Sequence, residues 1–379
     1  MANIGIDITP LCTPNPGGIG SCLYETLRAL ERVGTEHRLF LYGTSRPYVP
    51  FSDEHAEFPW PTRIDESAGS NLLWMQTGLL PMLLADAVDL FWGTRNTLPI
   101  RGRFQKVVTI HDFWYHFYPS QQPLPNLVLN ALVTRSAVRH ADLVAAISYA
   151  TAADARRLFA LPESRVSVVQ LGVDAMRFHP SPDDEVAAVR ERLGLSRPFL
   201  LAMDVYNARK NFEETLRAFA ALPAGLRAGL DLVALGRPRR TARPVRLEAL
   251  AAELGIAASV KLPGDVAYAD LPAVYTAASA LVFPSVYEGF GMPLLEAMAC
   301  GCPVVTSSVS SLPEVAGEAA LLVDPSAPAA LAAAIERVLT GEALAVRLRE
   351  AGFERAASFT WERTAEGMLR VFDEVLHSA

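Results

Sequence analysis

The chain has 379 residues, of which 51% are hydrophobic and 20% are charged, and a formal net charge of −7. This length exceeds one ordinary core, so we expect two domains, and the acidic balance argues against a dedicated nucleic-acid binder. Asp7 interrupts the first apolar run, so no signal peptide is expected. The most apolar window, residues 78–92, is broken by Pro81, Asp86 and Asp89. That pattern predicts a buried helix and strand rather than a membrane span.

The cysteines show neither zinc-site nor disulfide spacing. They are Cys12, Cys22, Cys300 and Cys302. We therefore expect free thiols in a reducing cytoplasm.

Short apolar runs alternate with amphipathic stretches in the first half of the chain. The runs predict strands at residues 3–8, 37–43, 89–93, 106–112, 142–148 and 165–173. The amphipathic stretches predict helices at residues 20–34, 124–141 and 148–160. This alternation predicts a parallel sheet with helices on both faces.

The pattern restarts after a proline-rich polar connector at residues 176–184. The second half predicts strands at residues 198–204, 231–236, 259–266, 279–285 and 303–307. It predicts helices at residues 211–222, 244–255, 269–278, 293–300 and 360–379, the last of which could pack on either half. We expect an α/β protein of two doubly wound domains, residues 1–178 and 179–379. Ligands of such sheets bind at the carboxyl ends of the strands.

Residues 283–305, FPSVYEGFGMPLLEAMACGCPVV, place two carboxylates on either side of a glycine-rich bend. Gly289 and Gly291 allow the backbone to approach a ligand closely. The helix predicted after them presents free N–H groups and a positive dipole end, which suit a diphosphate. Glu288 can then accept hydrogen bonds from sugar hydroxyls, while Glu296, about one turn into the helix, can reach a ribose. The alternative is two solvated surface glutamates.

This stretch resembles the E-x7-E motif of retaining glycosyltransferases with the GT-B fold, specifically glycosyltransferase family 4. The resemblance implies two Rossmann-like domains that face a central cleft, with the final helix packing back toward the first domain. It implies that Glu288 contacts the donor sugar and that Glu296 binds the ribose. It also implies that the backbone at Gly289, Phe290 and Gly291 approaches the diphosphate.

Two segments of the first half resemble the same family. Residues 14–30, PNPGGIGSCLYETLRAL, resemble its glycine-rich loop and helix. This implies that Gly17, Gly18 and Gly20 let the backbone approach phosphate and sugar, with a plain loop as the alternative. Residues 108–119, VTIHDFWYHFYP, resemble its HD segment, which implies that His111 hydrogen-bonds the donor sugar. A strand-end histidine satisfied by the backbone is the alternative there.

Residues 204–219, DVYNARKNFEETLRAF, resemble the family segment whose lysine grips the donor diphosphate. The resemblance gives this role to Lys210, a compact cation that neutralises charge as the leaving group departs. The sequence departs from the family pattern at Met203 and Asp204, where a glycine followed by arginine or threonine is common. Arg209 is the candidate second cation, and a surface arginine at the helix entry is the alternative.

The resemblance also bears on the nucleotide and the sugar. Residues 259–275 resemble the segment that receives the base, where the main chain near Val266 would hydrogen-bond a purine or uracil edge. The chain looks most like bacterial mannosyl- or rhamnosyl-type transferases of surface polysaccharide, including lipopolysaccharide and O-antigen. This implies GDP-mannose or a related GDP-deoxyhexose as donor, with a UDP-hexose as the alternative.

The implied reaction transfers the hexose to a hydroxyl with retained configuration. We expect no cofactor and no metal, because protein cations can do the work of a metal and no DxD-like pair stands in a matching context. The implied acceptor is a glycan or lipid-linked glycan at the cytoplasmic membrane face. The helix predicted at 124–141 carries Arg135, Arg139 and His140, which could touch anionic lipid. We therefore expect a cytoplasmic protein with peripheral membrane contact; a solvated helix face is the alternative.

Two other classes of protein remain open at this point. An epimerase or phosphorylase that acts on a nucleotide sugar would keep the same cleft, and so would a non-catalytic binding protein. Binding alone needs fewer of the four residues Glu288, Glu296, Lys210 and His111, which favours an enzyme.

Overall fold

The computed structural model describes residues 1–14, 16–121, 123–238 and 247–378. The chain divides into two compact units. Unit 1 consists of Met1–Phe117, Leu124–Gly172 and Trp361–Ala379, and unit 2 consists of Tyr118–Pro123 and Val173–Thr360. Positions 244–246 of the helix predicted at 244–255 lie outside the described residues, and so does Asn15 of the glycine-rich segment 14–30.

Unit 1 is built on a parallel sheet. In the part of the chain that the structure describes, its strands are β1 (Asn3–Asp7), β2 (Arg38–Gly43), β3 (Thr62–Ile64), β4 (Leu90–Gly93), β5 (Gln105–Ile110), β6 (Leu143–Ala146) and β7 (Val166–Val168). They lie in the order β3-β2-β1-β4-β5-β6-β7, and all neighbours pair in parallel. The central strands are buried on both faces, which explains why their sequences are almost continuously apolar.

Helices connect these strands. Those before the second unit are α1 (Gly17–Val33), α2 (Asn71–Gln76), α3 (Leu79–Ala85), α4 (Trp114–Phe117), α5 (Leu124–His140) and α6 (Tyr149–Phe159). Helix α6 begins after Ser148, whose side chain accepts a hydrogen bond from the backbone N–H of Thr151. This is an N-cap, which satisfies one donor that the helix itself leaves free.

Unit 2 repeats the plan on a second parallel sheet. Its described strands are β8 (Phe199–Ala202), β9 (Asp231–Leu235), β10 (Val260–Gly264), β11 (Ala280–Phe283), β12 (Val304–Ser307) and β13 (Ala320–Val323). Their order is β10-β9-β8-β11-β12-β13, the order of a doubly wound fold. The strand order reverses between β8 and β11, which pair with Leu200 opposite Ala280. Ligands bind beyond the carboxyl ends of strands at such a reversal.

The helices of unit 2 cover both faces of this sheet. They are α7 (Asp183–Arg192), α8 (Phe212–Ala221), α9 (Ala224–Arg227), α10 (Leu247–Glu253), α11 (Leu271–Ala277), α12 (Met292–Ala299), α13 (Leu312–Ala316), α14 (Pro328–Thr340) and α15 (Glu342–Ala357). Helix α7 lies largely beyond the connector that the sequence indicated at 176–184, and its first turn contains three acidic side chains that suit the positive end of the helix dipole.

The last helix, α16 (Trp361–His377), belongs to unit 1 and packs on α1. One face of α16 is apolar and buried, and the Phe372 ring lies 5.6 Å from that of Trp92. Polar contacts border this face: Arg32 pairs with Glu362 at 2.7 Å, and His37 is bonded to Asp373 at 3.0 Å. The expected α/β class with two doubly wound sheets is confirmed, and so is the packing of the final helix on the first unit.

Within the described part of the chain, no helix is both long and apolar enough to cross a bilayer.

Candidate active site

A buried ion cluster lies at the reversal of strand order in unit 2. Lys210 ends a 3₁₀ turn, Ala208–Lys210, that follows β8, and Glu288 follows β11. Because β8 and β11 are parallel neighbours, their carboxyl ends meet at one edge of the sheet. The Nζ atom of Lys210 lies 2.7 Å from Oε1 of Glu288, and a guanidinium nitrogen of Arg209 lies 3.7 Å from Oε2. The side chains of Lys210 and Glu288 are only 7% and 5% exposed.

The charges in this cluster shift the pKa values of both partners. Burial lowers the pKa of Lys210, an effect that the Glu288 carboxylate opposes and the positive charge of Arg209 reinforces. Burial would raise the pKa of Glu288, but the positive charges of Lys210 and Arg209 outweigh it, so that pKa is lowered. Glu288 is thus ionised at neutral pH. With both basic side chains charged, Lys210, Arg209 and Glu288 together carry one net positive charge, which suits an anionic ligand. The charge of Asp204 also acts on Lys210 and offsets part of this positive charge.

The segments that carry these side chains are also joined through the backbone. The N–H of Val286 donates to the carbonyl of Arg209 at 2.9 Å. The Nζ atom of Lys210 also lies 4.4 Å from the ring centroid of Phe283, the last residue of β11, at cation–π distance. The position of Lys210 is therefore fixed by contacts as well as by charge.

Two serines hold the glycine-rich bend that follows Glu288. The hydroxyl of Ser310 donates to the Glu288 carbonyl at 2.6 Å. The single hydroxyl proton of Ser311 is shared between the carbonyls of Phe290 and Glu288, at 2.8 and 3.0 Å. The peptide groups of the bend are therefore fixed in orientation. The sequence prediction did not include these serines. They end the serine-rich run SSVSS, residues 307–311, which begins at the last residue of β12, and this position at the carboxyl end of a strand could have indicated them.

The bend ends in the left-handed backbone conformation at Gly291, with φ 110°, directly before helix α12. A Cβ atom at this position would lie 2.7 Å from a methyl carbon of Leu312. Both the conformation and the close approach require glycine here. Gly289 and Phe290 lie in the same bend, and the Phe290 ring is buried against Phe359.

Glu296 lies on α12 and is bonded to a tyrosine that the sequence prediction missed. The hydroxyl of Tyr275, on α11, donates to Oε2 of Glu296 at 2.8 Å. Burial raises the pKa of Glu296 to about 7, although the Tyr275 hydrogen bond acts in the opposite direction. The Tyr275 ring is fully buried and lies 6.3 Å from that of Phe178. Tyr275 thus fixes the orientation of a carboxyl group that titrates near neutral pH.

Unit 2 also contains Val266, which was predicted to contact the base, and Asp204, at which the sequence departs from the family pattern. Val266 lies in the loop after β10, where its main chain precedes the 3₁₀ turn Tyr268–Asp270. Asp204 has a positive φ of 51°, and its carboxylate accepts a hydrogen bond from the Asn207 side chain at 3.1 Å. Asp204 thus stabilises the turn that leads to Lys210, and its charge also opposes the lowering of the Lys210 pKa by burial.

His111 and the predicted glycines belong to unit 1. His111 directly follows β5, and its Nε2 lies 3.0 Å from the carbonyl oxygen of Thr94. A carbonyl can only accept, so Nε2 carries the proton, and burial lowers the pKa of His111 and keeps the ring neutral. Nδ1 is then the unprotonated nitrogen. The backbone contact expected as the alternative is present, and it also fixes the ring and its tautomer.

The glycine-rich segment forms the first turn of α1 rather than a loop before it. Gly18 is exposed, whereas Gly20 is buried. A Cβ atom at Gly20 would lie 2.3 Å from Cβ of Pro16 and 2.9 Å from the carbonyl oxygen of Pro10. A Cβ at Gly18 would meet nothing within 4 Å. A side chain can therefore be accommodated at position 18 but not at position 20.

This difference predicts opposite effects of alanine at the two positions. Gly20→Ala should lower the free energy of unfolding by about 1–3 kcal/mol, because the methyl group overpacks the helix start. Gly18→Ala should cause no loss, and a gain of up to about 1 kcal/mol is expected from the better helix propensity of alanine. Thermal or urea unfolding of the two variants would check this. Equal stability of the two variants would contradict the close packing at Gly20.

Among the described residues, no group of three or more His, Cys, Asp or Glu side chains is arranged to hold a metal ion. The cysteines of the described chain are free thiols, and Cys300 and Cys302 are buried.

Comparison with known proteins identifies the family. Residues 16–177 match the family described as Glycosyltransferase Family 4, and residues 185–355 match Glycosyl transferases group 1. The chain is 30% identical over 274 residues to O-antigen chain mannosyltransferase B of Escherichia coli, with 72% of this chain and 71% of that protein covered. The chain belongs to glycosyltransferase family 4. The sequence predicted this family.

Two further comparisons show how far this likeness extends. This glycosyltransferase is 36% identical over 252 residues to D-inositol 3-phosphate glycosyltransferase of Salinispora arenicola, which covers 63% of this chain and only 56% of that protein's length. Its fold is similar to that of sucrose-phosphate synthase from Thermosynechococcus elongatus, with a TM-score of 0.77, 24% identity and full coverage of both chains. At that identity the structural likeness supports the GT-B fold alone.

Proposed function

We propose that this family 4 enzyme transfers mannose, or a deoxyhexose such as rhamnose, from a GDP-sugar to a hydroxyl of a glycan or lipid-linked acceptor. The reaction would be a step in the synthesis of polysaccharide or lipopolysaccharide. The buried cluster of Lys210, Arg209 and Glu288 carries the proposal, because two cations against one carboxylate leave a net charge that suits a diphosphate. The mannosyl assignment is supported by the likeness to the O-antigen chain mannosyltransferase.

The cations of the cluster would act on the leaving group. As the bond between the sugar and the β-phosphate breaks, negative charge grows on the phosphate oxygens. Lys210 and Arg209 would stabilise that charge, together with the start of helix α12. Because both side chains are already held in place, little reorganisation is needed when the charge develops. The same-face route implied by family membership, in which the departing phosphate helps to deprotonate the acceptor, retains the configuration of the sugar.

Three side chains would hold the sugar and the ribose. Glu288 is ionised, so it can accept hydrogen bonds from sugar hydroxyls. His111 offers Nδ1 as a second acceptor, because Nε2 donates to Thr94. Glu296 would accept hydrogen bonds from the ribose, which needs its ionised form. The main chain at Gly18, Gly20 and Val266 is proposed to approach the rest of the donor.

The proposed reaction needs no metal ion and no cofactor, since Lys210 and Arg209 supply the positive charge. A chelator should therefore leave the rate of transfer unchanged. The proposed place of action is the cytoplasmic face of a membrane, with peripheral contact and no nucleic-acid partner.

The first test is stabilisation by nucleotides. At about 100 times its dissociation constant, GDP should add about 2.7 kcal/mol to the free energy of unfolding. UDP and ADP at the same concentration should add less. Glu296→Ala should lose the response to GDP, whereas Glu350→Ala, which changes an exposed glutamate on α15, should keep it.

Other outcomes would select other functions. A preference for UDP would replace the GDP-sugar donor by a UDP-hexose. Binding without slow hydrolysis of any sugar donor would indicate a non-catalytic binding protein, and inversion at a sugar carbon would indicate an epimerase. No response to any of the three nucleotides would contradict the proposal that the enzyme binds a nucleotide-sugar donor.

A further inference from the structure

The loop between β2 and β3 of unit 1 forms an aromatic stack with helix α1. The guanidinium carbon of Arg28, on α1, lies 4.8 Å from the ring centroid of Phe58, at cation–π distance. The Phe58 ring lies 6.2 Å from that of Trp60, and the planes of the two rings differ by only 11°. Tyr24 borders the stack, with its ring 6.0 Å from that of Phe58. Among the described residues, no further ring or cation packs on Trp60, which is therefore the outermost member of the stack.

The backbone on both sides of Trp60 is restricted. Pro59 precedes it and Pro61 follows it, so the conformational freedom of this short segment is low. The carbonyl of Pro61 also accepts a hydrogen bond from the N–H of Leu41, in β2, at 2.9 Å. The indole ring is thus presented on a fixed backbone, and a ligand that stacks on it would pay little to order it.

Trp60 is accessible to solvent, unlike most tryptophans of this chain. Three of the five tryptophans are buried in the core, namely Trp74, Trp92 and Trp361. Trp60 is only half-buried, and its indole N–H donates to no group of the described chain. It therefore offers one ligand both an apolar face and a hydrogen-bond donor.

These features suit a pyranose sugar. One face of a pyranose ring presents C–H groups, which pack on the negative face of an aromatic ring. The hydroxyls at the rim of the sugar need hydrogen-bond partners. The same loop supplies carboxylates as acceptors, because Asp53, Glu54 and Glu57 are exposed, and the nearest contact of Glu57 with Arg46 is as long as 3.9 Å. The loop thus offers the two kinds of contact that a sugar requires.

Other classes of ligand fit this loop less well. Three carboxylates within residues 53–57 repel the phosphates of nucleic acids and of anionic lipids. The core of a protein–protein interface is depleted of aspartate and glutamate. The loop itself, residues 44–61, contains no described helix or strand. Connections longer than about 12–15 residues are uncommon in ordered domains and usually have a function.

The stack lies along the helix that begins at the edge of the sheet that bears His111. Ile19, in the first turn of α1, lines a small cavity together with His111. Arg28 follows Ile19 by nine positions, which is about 14 Å along the helix at 1.5 Å per residue. This distance is longer than one sugar ring. A sugar that stacks on Trp60 is therefore a different residue from one that contacts His111.

We propose that Trp60, supported by Phe58 and Arg28, is a subsite for a sugar residue of the acceptor glycan that lies beyond the residue receiving the hexose. The inference rests on the proposed function, in which the acceptor is a glycan. The enzyme would then extend an existing glycan, and it would bind a long acceptor better than a single sugar.

The test is calorimetric binding of saccharides to the full chain in the absence of donor. The probes are the methyl glycoside and the linear tetrasaccharide of mannose, rhamnose, glucose and galactose. In at least one of these series the tetrasaccharide should bind several times more tightly than the monosaccharide. Trp60→Leu should weaken binding of that tetrasaccharide by a factor of about 2 to 10, the contribution of one aromatic stack, and should leave binding of the monosaccharide unchanged.

Two further variants separate stacking from a structural role. Trp60→Tyr keeps an aromatic ring and should retain most of the preference for the tetrasaccharide. Phe353→Leu, at an exposed phenylalanine on α15 of unit 2, is the matched control and should bind saccharides like the wild type. In transfer assays with saturating donor, Trp60→Leu should raise KM for long acceptors and leave kcat unchanged, because a remote sugar is bound equally in the ground state and the transition state.

Several results would overturn the proposal. Equal affinity for monosaccharide and tetrasaccharide in all four series is one of them. Another is a lower unfolding midpoint in Trp60→Leu with wild-type binding of the tetrasaccharide, since the stack would then only hold the loop on α1. A wild-type dimer that becomes monomeric in Trp60→Leu would show that a second copy covers the ring instead.

The nucleotide response is a separate readout. A preference for the tetrasaccharide without any response to GDP would leave the Trp60 subsite standing and remove the proposed donor. A response to GDP without any preference for the tetrasaccharide would retain the donor and remove the subsite.

Discussion

Replacing Lys210 with methionine is expected to destabilise the protein and to weaken nucleotide binding at the same time. Lys210→Met leaves the buried carboxylate of Glu288 with a single, more distant cation of this cluster, Arg209. Removing one partner of a buried ion pair typically costs about 3–5 kcal/mol. The affinity for GDP should fall about 10- to 100-fold, since a hydrogen bond to a charged group contributes about 1.5–3 kcal/mol. Urea unfolding and calorimetry would measure the two effects.

The double variant Lys210→Met/Glu288→Gln separates these effects. With both charges removed, most of the lost stability should return, because no isolated charge remains buried. GDP binding should stay weak, since the cation is still missing. If the double variant regained both stability and GDP affinity, Lys210 would have a structural role only, and the proposed contact with the diphosphate would be wrong.

Glu296→Gln is expected to stabilise the free protein above neutral pH while it weakens nucleotide binding. Burial raises the pKa of Glu296 from 4.5 to about 7, so the folded state holds this proton more tightly than the unfolded state does. The unfolding free energy contributed by this group therefore falls as the pH rises from about 4.5 to 7, and it is constant above that. Glutamine removes this loss, and the gain at pH 8 should be on the order of 3 kcal/mol.

The same ionisation predicts the pH dependence of nucleotide binding. The carboxylate of Glu296 accepts ribose hydrogen bonds better than the neutral acid, so the affinity of the wild type for GDP should rise up to about pH 7 and then level off. In Glu296→Gln it should be weaker and independent of pH in this range. Tyr275→Phe removes the hydrogen bond that lowers the pKa of Glu296, so its profile should move to higher pH. Tyr149→Phe, at an exposed tyrosine of unit 1, is the control and should leave the profile unchanged. A wild-type profile that is flat from pH 5 to 8 would contradict the proposed role of Glu296.

The predictable parts of the fold are those with a strong apolar pattern. The central strands are buried on both faces, so their sequences are continuous apolar runs. From these runs the starts of β1, β5, β8 and β11 were predicted to within one or two residues. Strand β3 was missed because its three residues, Thr62–Ile64, are largely exposed. The strand lies at the edge of the sheet and pairs with β2 alone. Such an edge strand depends on its neighbour and leaves no periodic signal in the sequence.

The candidate site was predictable as far as its residues share one sequence segment. Glu288 and Glu296 are eight residues apart, and the bend between them is visible in the sequence. The contact of Glu288 with Lys210 is not, because it joins positions 78 residues apart through the pairing of two strands. Tyr275 was missed for a similar reason, since a tyrosine on a buried helix face is indistinguishable from a core residue until its hydroxyl meets Glu296.

The position of helix α16 has a consequence for how the chain is made. Unit 1 needs α16 to cover the apolar side of α1, yet residues 173–360 of unit 2 are synthesised in between. At roughly 5–20 residues per second, their synthesis takes on the order of 10–40 s. Throughout that time the nascent first unit exposes the surface later covered by Met368 and Phe372, both of which are buried in the finished protein. The second unit can therefore mature before the first, and chaperones that hold exposed apolar surface should engage the ribosome-bound chain until its last helix emerges.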